Sequence, residues 1–326
     1  MTSLLIITIT TMMVSFVSSY NINLSLMYEK VFRLQLNIER CDRSLVDSLR
    51  LNEPERPRQL IIDFCDSASD NDFRDTVDII YSWFCTNVQR LMIHLNFDDN
   101  TGALCDLFAR CTTLRCIEMD ITHGIIVGGA IGDPPNLWHI LQFTVYAQLQ
   151  QPPITNIFFT GWSMLNLHNL RLENIAITEE IRSFILQHAW NLCVLELSSD
   201  YENIEGILAR SIHLICIVLH IQRAIPPISS NSVQVLGLRG IQQVDFRVDD
   251  KVQQVLETIT QLLTPRTMPS LVAIRFLDLN QPLIGMNMQS LKLWRSLVAI
   301  TSSFSISVFD SDGYVIDEPI LEGPKI

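Results

Sequence analysis

An α/β fold, in the form of an irregular leucine-rich-repeat solenoid with a curved parallel sheet and helices on its convex side, is what this sequence predicts. Three features predict it. A short apolar strand motif recurs along the chain, amphipathic helical segments follow several of its copies, and no strand leads into the glycine-rich phosphate loop of a doubly wound sheet.

The chain opens on a run without charge. No charged side chain precedes Glu29, and Leu4 to Val17 is apolar, softened by Thr and Ser. The run is shorter than the ~20 residues a membrane-spanning helix needs. It is rich in β-branched residues, which suits a first strand. A cleaved leader ending before Tyr20 is the other reading, with Val17 and Ser19 as its small residues and Asn23-Leu24-Ser25 as a glycosylation sequon. Residues 1–30 are therefore read as a separate N-terminal segment, 31–309 as the repeat domain and 310–326 as an acidic tail.

Residues 31–36 and 59–64 read as the first covering strands. The recurring motif then begins. Its best copies are Leu167, Leu170 and Leu172, then Leu192, Leu195 and Leu197, then Leu214, Ile217 and Leu219. Val233, Leu236 and Leu238 repeat it, as do Leu271, Ile274 and Phe276, and earlier Val88, Leu91 and Ile93, and Leu114, Ile117 and Met119. Weaker copies are read at 137–143, centred on Leu141, and at 154–159. Most intervals between central positions are about 19 to 29 residues, the spacing of leucine-rich units. The last two apolar positions alternate, as on a strand with one buried face, and the leading one enters the core as the chain turns in. One such unit cannot cover its own apolar face, so neighbours must stack.

Helices are expected between strands. Asp99–Arg110 places Leu104, Leu107 and Phe108 on one side, and Glu179–Gln187 places Ile181, Phe184 and Ile185 together, with Thr178 as the cap. Asn203–Arg210, Asp249–Leu263 (stopped by Pro265) and Asp72–Phe84 follow the same logic. Glycine and proline mark loops at His123–Pro135, Gln150–Pro153 and Ala224–Ser230. Phe304, Ile306 and Val308 alternate as a last strand.

Leu167 to Leu219 carries a resemblance to the variable leucine-rich-repeat region of fungal F-box-like proteins, and weaker similarity runs from Val88 to Phe276. The resemblance implies repeats that hold a substrate and an N-terminal F-box that docks on a ubiquitin-ligase adaptor. The Leu-Pro opening of an F-box is not found in this sequence, so the substrate-holding half is what carries over. The family implies no catalytic residue.

Chemistry-bearing patterns are weak. The net charge of -12, from 35 acidic and 23 basic residues, disfavours nucleic-acid phosphates as partners. Cys105, Cys111 and Cys116 are spaced unlike zinc knuckles, and the cysteines read as buried, reduced thiols. Gly128-Gly129 lacks a phosphate-binding Lys-Ser or Lys-Thr, and no Gly-x-Ser-x-Gly occurs. No enzyme activity, cofactor or metal is expected. The expected function is a non-enzymatic protein-binding scaffold, whose partner is another protein such as a ubiquitin-ligase adaptor or its substrate. Neither nucleic acid nor a stable membrane span enters this reading. The binding residues would be those projecting between the buried strand positions: Arg171, Glu173, Glu196, Ser198, Val218, His220, Arg239 and Arg275. Val218 and Gly237 would leave a shallow depression in mid-row. A cytoplasmic or nuclear location follows, with a secreted or surface-associated recognition module as the alternative.

Overall fold

A computed structural model describes residues 5–9, 23–24, 33–38, 59–64, 86–95, 101–121, 136–147, 158–198, 204–220, 228–240, 259, 267–278 and 288–316. The chain forms an α/β protein that divides into two compact units, Met1–Phe184 and Ile185–Ile326.

In the first unit the strands are β1 (Leu5–Ile9), β2 (Asn23–Leu24), β3 (Arg33–Ile38), β4 (Gln59–Phe64), β5 (Arg90–Leu95), β6 (Cys116–Ile121), β7 (Gln142–Ala147) and β8 (Asn169–Glu173). From β3 to β8 each strand pairs in parallel with its successor. β1 lies antiparallel to β3 and carries β2 on its other side. Helix α1 (Thr101–Arg110) connects β5 to β6, and a short 3-10 turn, Phe158–Gly161, lies between β7 and β8. In the second unit β9 (Val194–Leu197), β10 (Cys216–His220), β11 (Val235–Arg239), β12 (Ala273–Phe276) and β13 (Ser307–Phe309) also run parallel in sequence order. Helix α2 (Glu179–His188) precedes β9, α3 (Ile204–Arg210) precedes β10, and α4 (Met288–Ser303) precedes β13. Among the described residues no helix is long and apolar enough to cross a membrane.

The leucine motif explains the register. Leu91, Ile117, Phe143 and Leu170 align across β5 to β8, and Ile93, Met119, Val145 and Leu172 align two residues on. The second unit aligns Leu195, Ile217, Leu236 and Ile274. All of these side chains are buried, and so are the leading residues Val88, Leu114, Ile140, Leu167, Leu192, Leu214, Val233 and Leu271. The turns that deliver most of these leading residues are wired alike. The N–H groups of Leu114, Ile140, Leu167, Leu214 and Leu271 each donate to the carbonyl three residues back. One carbonyl of each preceding turn then accepts two N–H groups from the next: Gln89 from Arg115 and Cys116, Leu141 from His168 and Asn169, Cys193 from Ile215 and Cys216, Gln234 from Val272 and Ala273. Polar side chains in the turns add a second seam. Thr113 donates to the Val88 carbonyl, Asn166 to Trp138, Ser232 to Ser211 and Ser270 to Asn231.

Cores sit between strands and helices. In the first unit Phe108, Phe143, Phe159, Trp162 and Phe184 interlock edge to face, with Phe143 and Phe159 centroids 4.9 Å apart. In the second, Phe276 meets Trp294 at 4.8 Å. Thr178 caps α2, its hydroxyl accepting from the Ile181 N–H at 3.4 Å.

Several expectations require correction. The copy read as centred on Leu141 is offset by two residues: Phe143 takes the aligned buried position, while Leu141 lies before the strand and is exposed. The described part of the weak copy at 154–159 is a 3-10 turn in place of a strand. Cys111 is disulfide-bonded rather than reduced, its partner falling outside the described side chains. Helix α4 has no counterpart in the sequence reading. The helices expected at 72–84 and 249–263 lie outside the described residues, apart from a buried helical Ile259, as does the loop at 123–135.

Candidate protein-interaction face

Between the buried positions of each strand, alternate residues project from the opposite side of the sheet. In the first unit these rows place Arg90 and His94 on β5, Glu118 and Asp120 on β6, Thr144 and Tyr146 on β7, and Arg171 and Glu173 on β8. Neighbouring strands supply opposite charges. Arg90 Nη2 donates to Glu118 Oε1 at 2.5 Å, and His94 Nδ1 lies 3.2 Å from Asp120 Oδ2. Arg171 stands 4.6 Å over the Tyr146 ring, donates to the Tyr146 hydroxyl oxygen at 3.0 Å and to Glu173 Oε2 at 2.6 Å.

In the second unit Glu196, Val218, Gly237 and Arg275 share one row. Arg239 Nε donates to Glu196 Oε1 at 2.5 Å, and His220 Nε2 lies 3.5 Å from the same oxygen. Glu196 is on β9 and Arg239 on β11, so the arginine side chain crosses the β10 face between them. Adjacent strands stand about 4.8 Å apart, so the arginine and glutamate side chains together span about twice that distance. Arg275 Nη2 donates to the Ser311 carbonyl at 2.6 Å.

The face is thus not a uniform solvated row. Of the residues singled out from the sequence, Arg275 is exposed, Arg171, Glu173, His220 and Arg239 are half-buried, and Glu196, Ser198 and Val218 are buried. The structure brings Glu196, His220 and Arg239 into one cluster and pairs Arg171 with Glu173. The depression expected at Val218 and Gly237 is filled: a Cβ on Gly237 would come within 2.8 Å of Val218 Cγ2. Sequence reasoning missed Arg90, His94, Glu118, Asp120 and Tyr146. For four of them the signal was present: Arg90, His94, Glu118 and Asp120 each lie beside a buried position of a recognised motif, and His94 and Asp120 stand at matching register.

The thiols on this face are inert. Burial, reinforced by Glu118, pushes the Cys116 thiol up to about 12, and burial with Glu196 pushes Cys216 up to about 11. A thiol protonated at neutral pH is a poor nucleophile and a poor metal ligand. Among the described residues no group of three or more His, Cys, Asp or Glu side chains is placed to hold a metal ion. No protein-family model, curated protein or solved structure matches the chain.

Proposed function

We propose that this chain is a leucine-rich-repeat solenoid that acts as a non-enzymatic protein-binding scaffold, holding a substrate protein in the manner of F-box-like repeat proteins. The observation that carries the reading is the strand face of each unit. Its charged side chains are already held by other side chains or by backbone carbonyls, so little side-chain entropy is lost when a partner docks. The presented groups are Arg171 and Glu173 in the first unit and His220, Arg239 and Arg275 in the second. Within the second unit the buried Glu196 holds Arg239 and His220, and Ser198 and Val218 are buried. A mixed-charge surface with arginines suits a polar-rimmed protein contact. Affinity purification of the tagged chain from its native cells, with mass spectrometry of bait and partners, tests this. A reproducible partner that is lost on Arg275→Glu supports the reading. A partner set unchanged by Arg275→Glu and by Arg171→Glu removes the strand face from it.

A second reading is favoured by one observation. Cys111 is disulfide-bonded, and structural disulfides persist in oxidising compartments. A secreted or surface-associated recognition module accommodates that bond. Alkylation of the purified chain before and after reduction decides: Cys111 blocked only after reduction favours the extracellular reading, and Cys111 alkylated in the unreduced, denatured chain favours the cytoplasmic or nuclear one.

A further inference from the structure

The stacked turns of the first unit form a second surface, distinct from the strand face. Trp138 and Leu165 occupy equivalent places in consecutive turns, and Leu141 ends the turn that Trp138 begins. They are 54%, 56% and 41% exposed. The two turns are joined directly: Asn166 Nδ2 donates to the Trp138 carbonyl at 2.6 Å, and the Leu141 carbonyl accepts the His168 and Asn169 N–H groups. Trp138 is also steadied from below. Its ring stands edge-on to that of His139, 5.9 Å between centroids, and His139 is itself buried against the Phe108 carbonyl. A rigid, half-exposed tryptophan beside two exposed leucines is the kind of anchor that dominates protein interfaces.

The charge of this edge is opposite to that of the chain. The full sequence carries 35 acidic against 23 basic residues, yet residues 112–116, 136–142 and 163–169 contain no Asp or Glu. The neighbouring turn contributes Arg115, whose guanidinium is held by the carbonyls of Thr112, Leu114 and His139, beside Trp138. We infer that the turn edge formed by Arg115, Trp138, Leu141 and Leu165 docks a peptide segment of a partner protein in which apolar side chains stand next to carboxylates. The apolar groups would cover Trp138 and Leu165, and a carboxylate would meet Arg115. A lipid surface is the weaker match, because anionic membranes are held by clusters of about four to eight basic residues, more than these turns carry.

Selection of short random peptides displayed on phage against the immobilised full chain tests the inference. The expected winners combine Leu, Ile or Phe with Asp or Glu, and a synthetic winner should lose about tenfold or more in affinity on Trp138→Ser. Leu165→Ser, on the adjacent turn, is the second variant, so a folding defect in either leaves the test intact. Arg115→Gln should weaken binding and flatten its salt dependence. Arg275→Glu, on the other unit, acts on a strand-face partner and not on this peptide, so failure of one reading is separable from failure of the other. The inference is overturned if no sequence is enriched, if the winners are basic, if both serine variants bind as well as the parent, or if the chain instead floats with vesicles of mixed phosphatidylcholine and phosphatidylserine.

Discussion

Gly237 shows how closely the strand face is built. With Val218 Cγ2 at 2.8 Å and Leu277 Cδ1 at 3.1 Å from its missing Cβ, Gly237→Ala has to displace a β-branched neighbour. Its expected cost is about 1–3 kcal/mol in urea denaturation, recovered in part by Val218→Ala in the same chain. An unchanged midpoint for Gly237→Ala would show that the face yields without strain. Glu196 makes the complementary case. Its buried carboxylate accepts from Arg239, so Glu196→Gln is expected to cost about 1–3 kcal/mol and Glu196→Gln with Arg239→Met less than the sum of the single changes. His139 gives a pH dependence. Its Nε2 faces the Phe108 carbonyl at 3.1 Å, and Nδ1 has no hydrogen-bond partner among the described residues. Burial, with a smaller contribution from Arg115, holds its pKa below the ordinary imidazole value of about 6.5, despite the opposing pull of the carbonyl. The unfolded chain then takes up this proton first as pH falls, so stability from this group is complete above about 6.5 and declines on acidification. The thermal midpoint of His139→Gln should fall less than that of the parent between neutral and mildly acidic pH, and equal falls would contradict the assignment.

At the scale of elements, the strands with a full leucine triplet were legible because their periodicity is set by burial, which sequence records directly. Leu195 and Ile217 are apolar because they are inside. β7 was misregistered for an equally physical reason. Ile140, Phe143 and Val145 are the buried triplet of this repeat, but Leu137 and Leu141 mimic the pattern; Leu137 is buried too, whereas Leu141 is an exposed turn residue. Only hydrogen bonding to the neighbouring turns separates the two registers. Helix α4 went unread although Trp294, Leu297, Val298 and Thr301 are buried at helical spacing, because Ser, Thr and β-branched residues dilute its C-terminal half. Trp294 is its anchor on Phe276, and Trp294→Ala is expected to cost about 3–5 kcal/mol, readable by thermal denaturation of the full chain. A much smaller loss would mean that α4 contributes little to the second unit. The binding residues were legible as a row of positions but not as an arrangement. Which charges pair depends on side chains reaching across strands, as Arg239 does to Glu196, and no sequence spacing between β9 and β11 encodes that reach.

For the molecule as a whole, charge and topology point the same way. A chain at -12 repels polyanions, so negligible retention on immobilised DNA at physiological salt is expected, and firm retention would contradict the protein-binding reading. From β3 to β8 in the first unit and from β9 to β13 in the second, each parallel strand is added beside its predecessor in chain order, and such a sheet has no intrinsic reason to stop. Among the described residues of the second unit it stops at β13. There the chain turns back through Gly313, whose φ of 89° favours glycine; Asp310 N donates to the Tyr314 carbonyl, Tyr314 N to Asp310 Oδ1, and Ile316 N to the Val308 carbonyl. Phe309 pairs with Val315 antiparallel, against the direction of the β9 to β13 strands. A reversed, kinked partner is a poor template for a further parallel strand. The short turn at 310–316 thus occupies part of the β13 edge with a reversed segment, taking up backbone groups that an extended strand of another molecule would otherwise use.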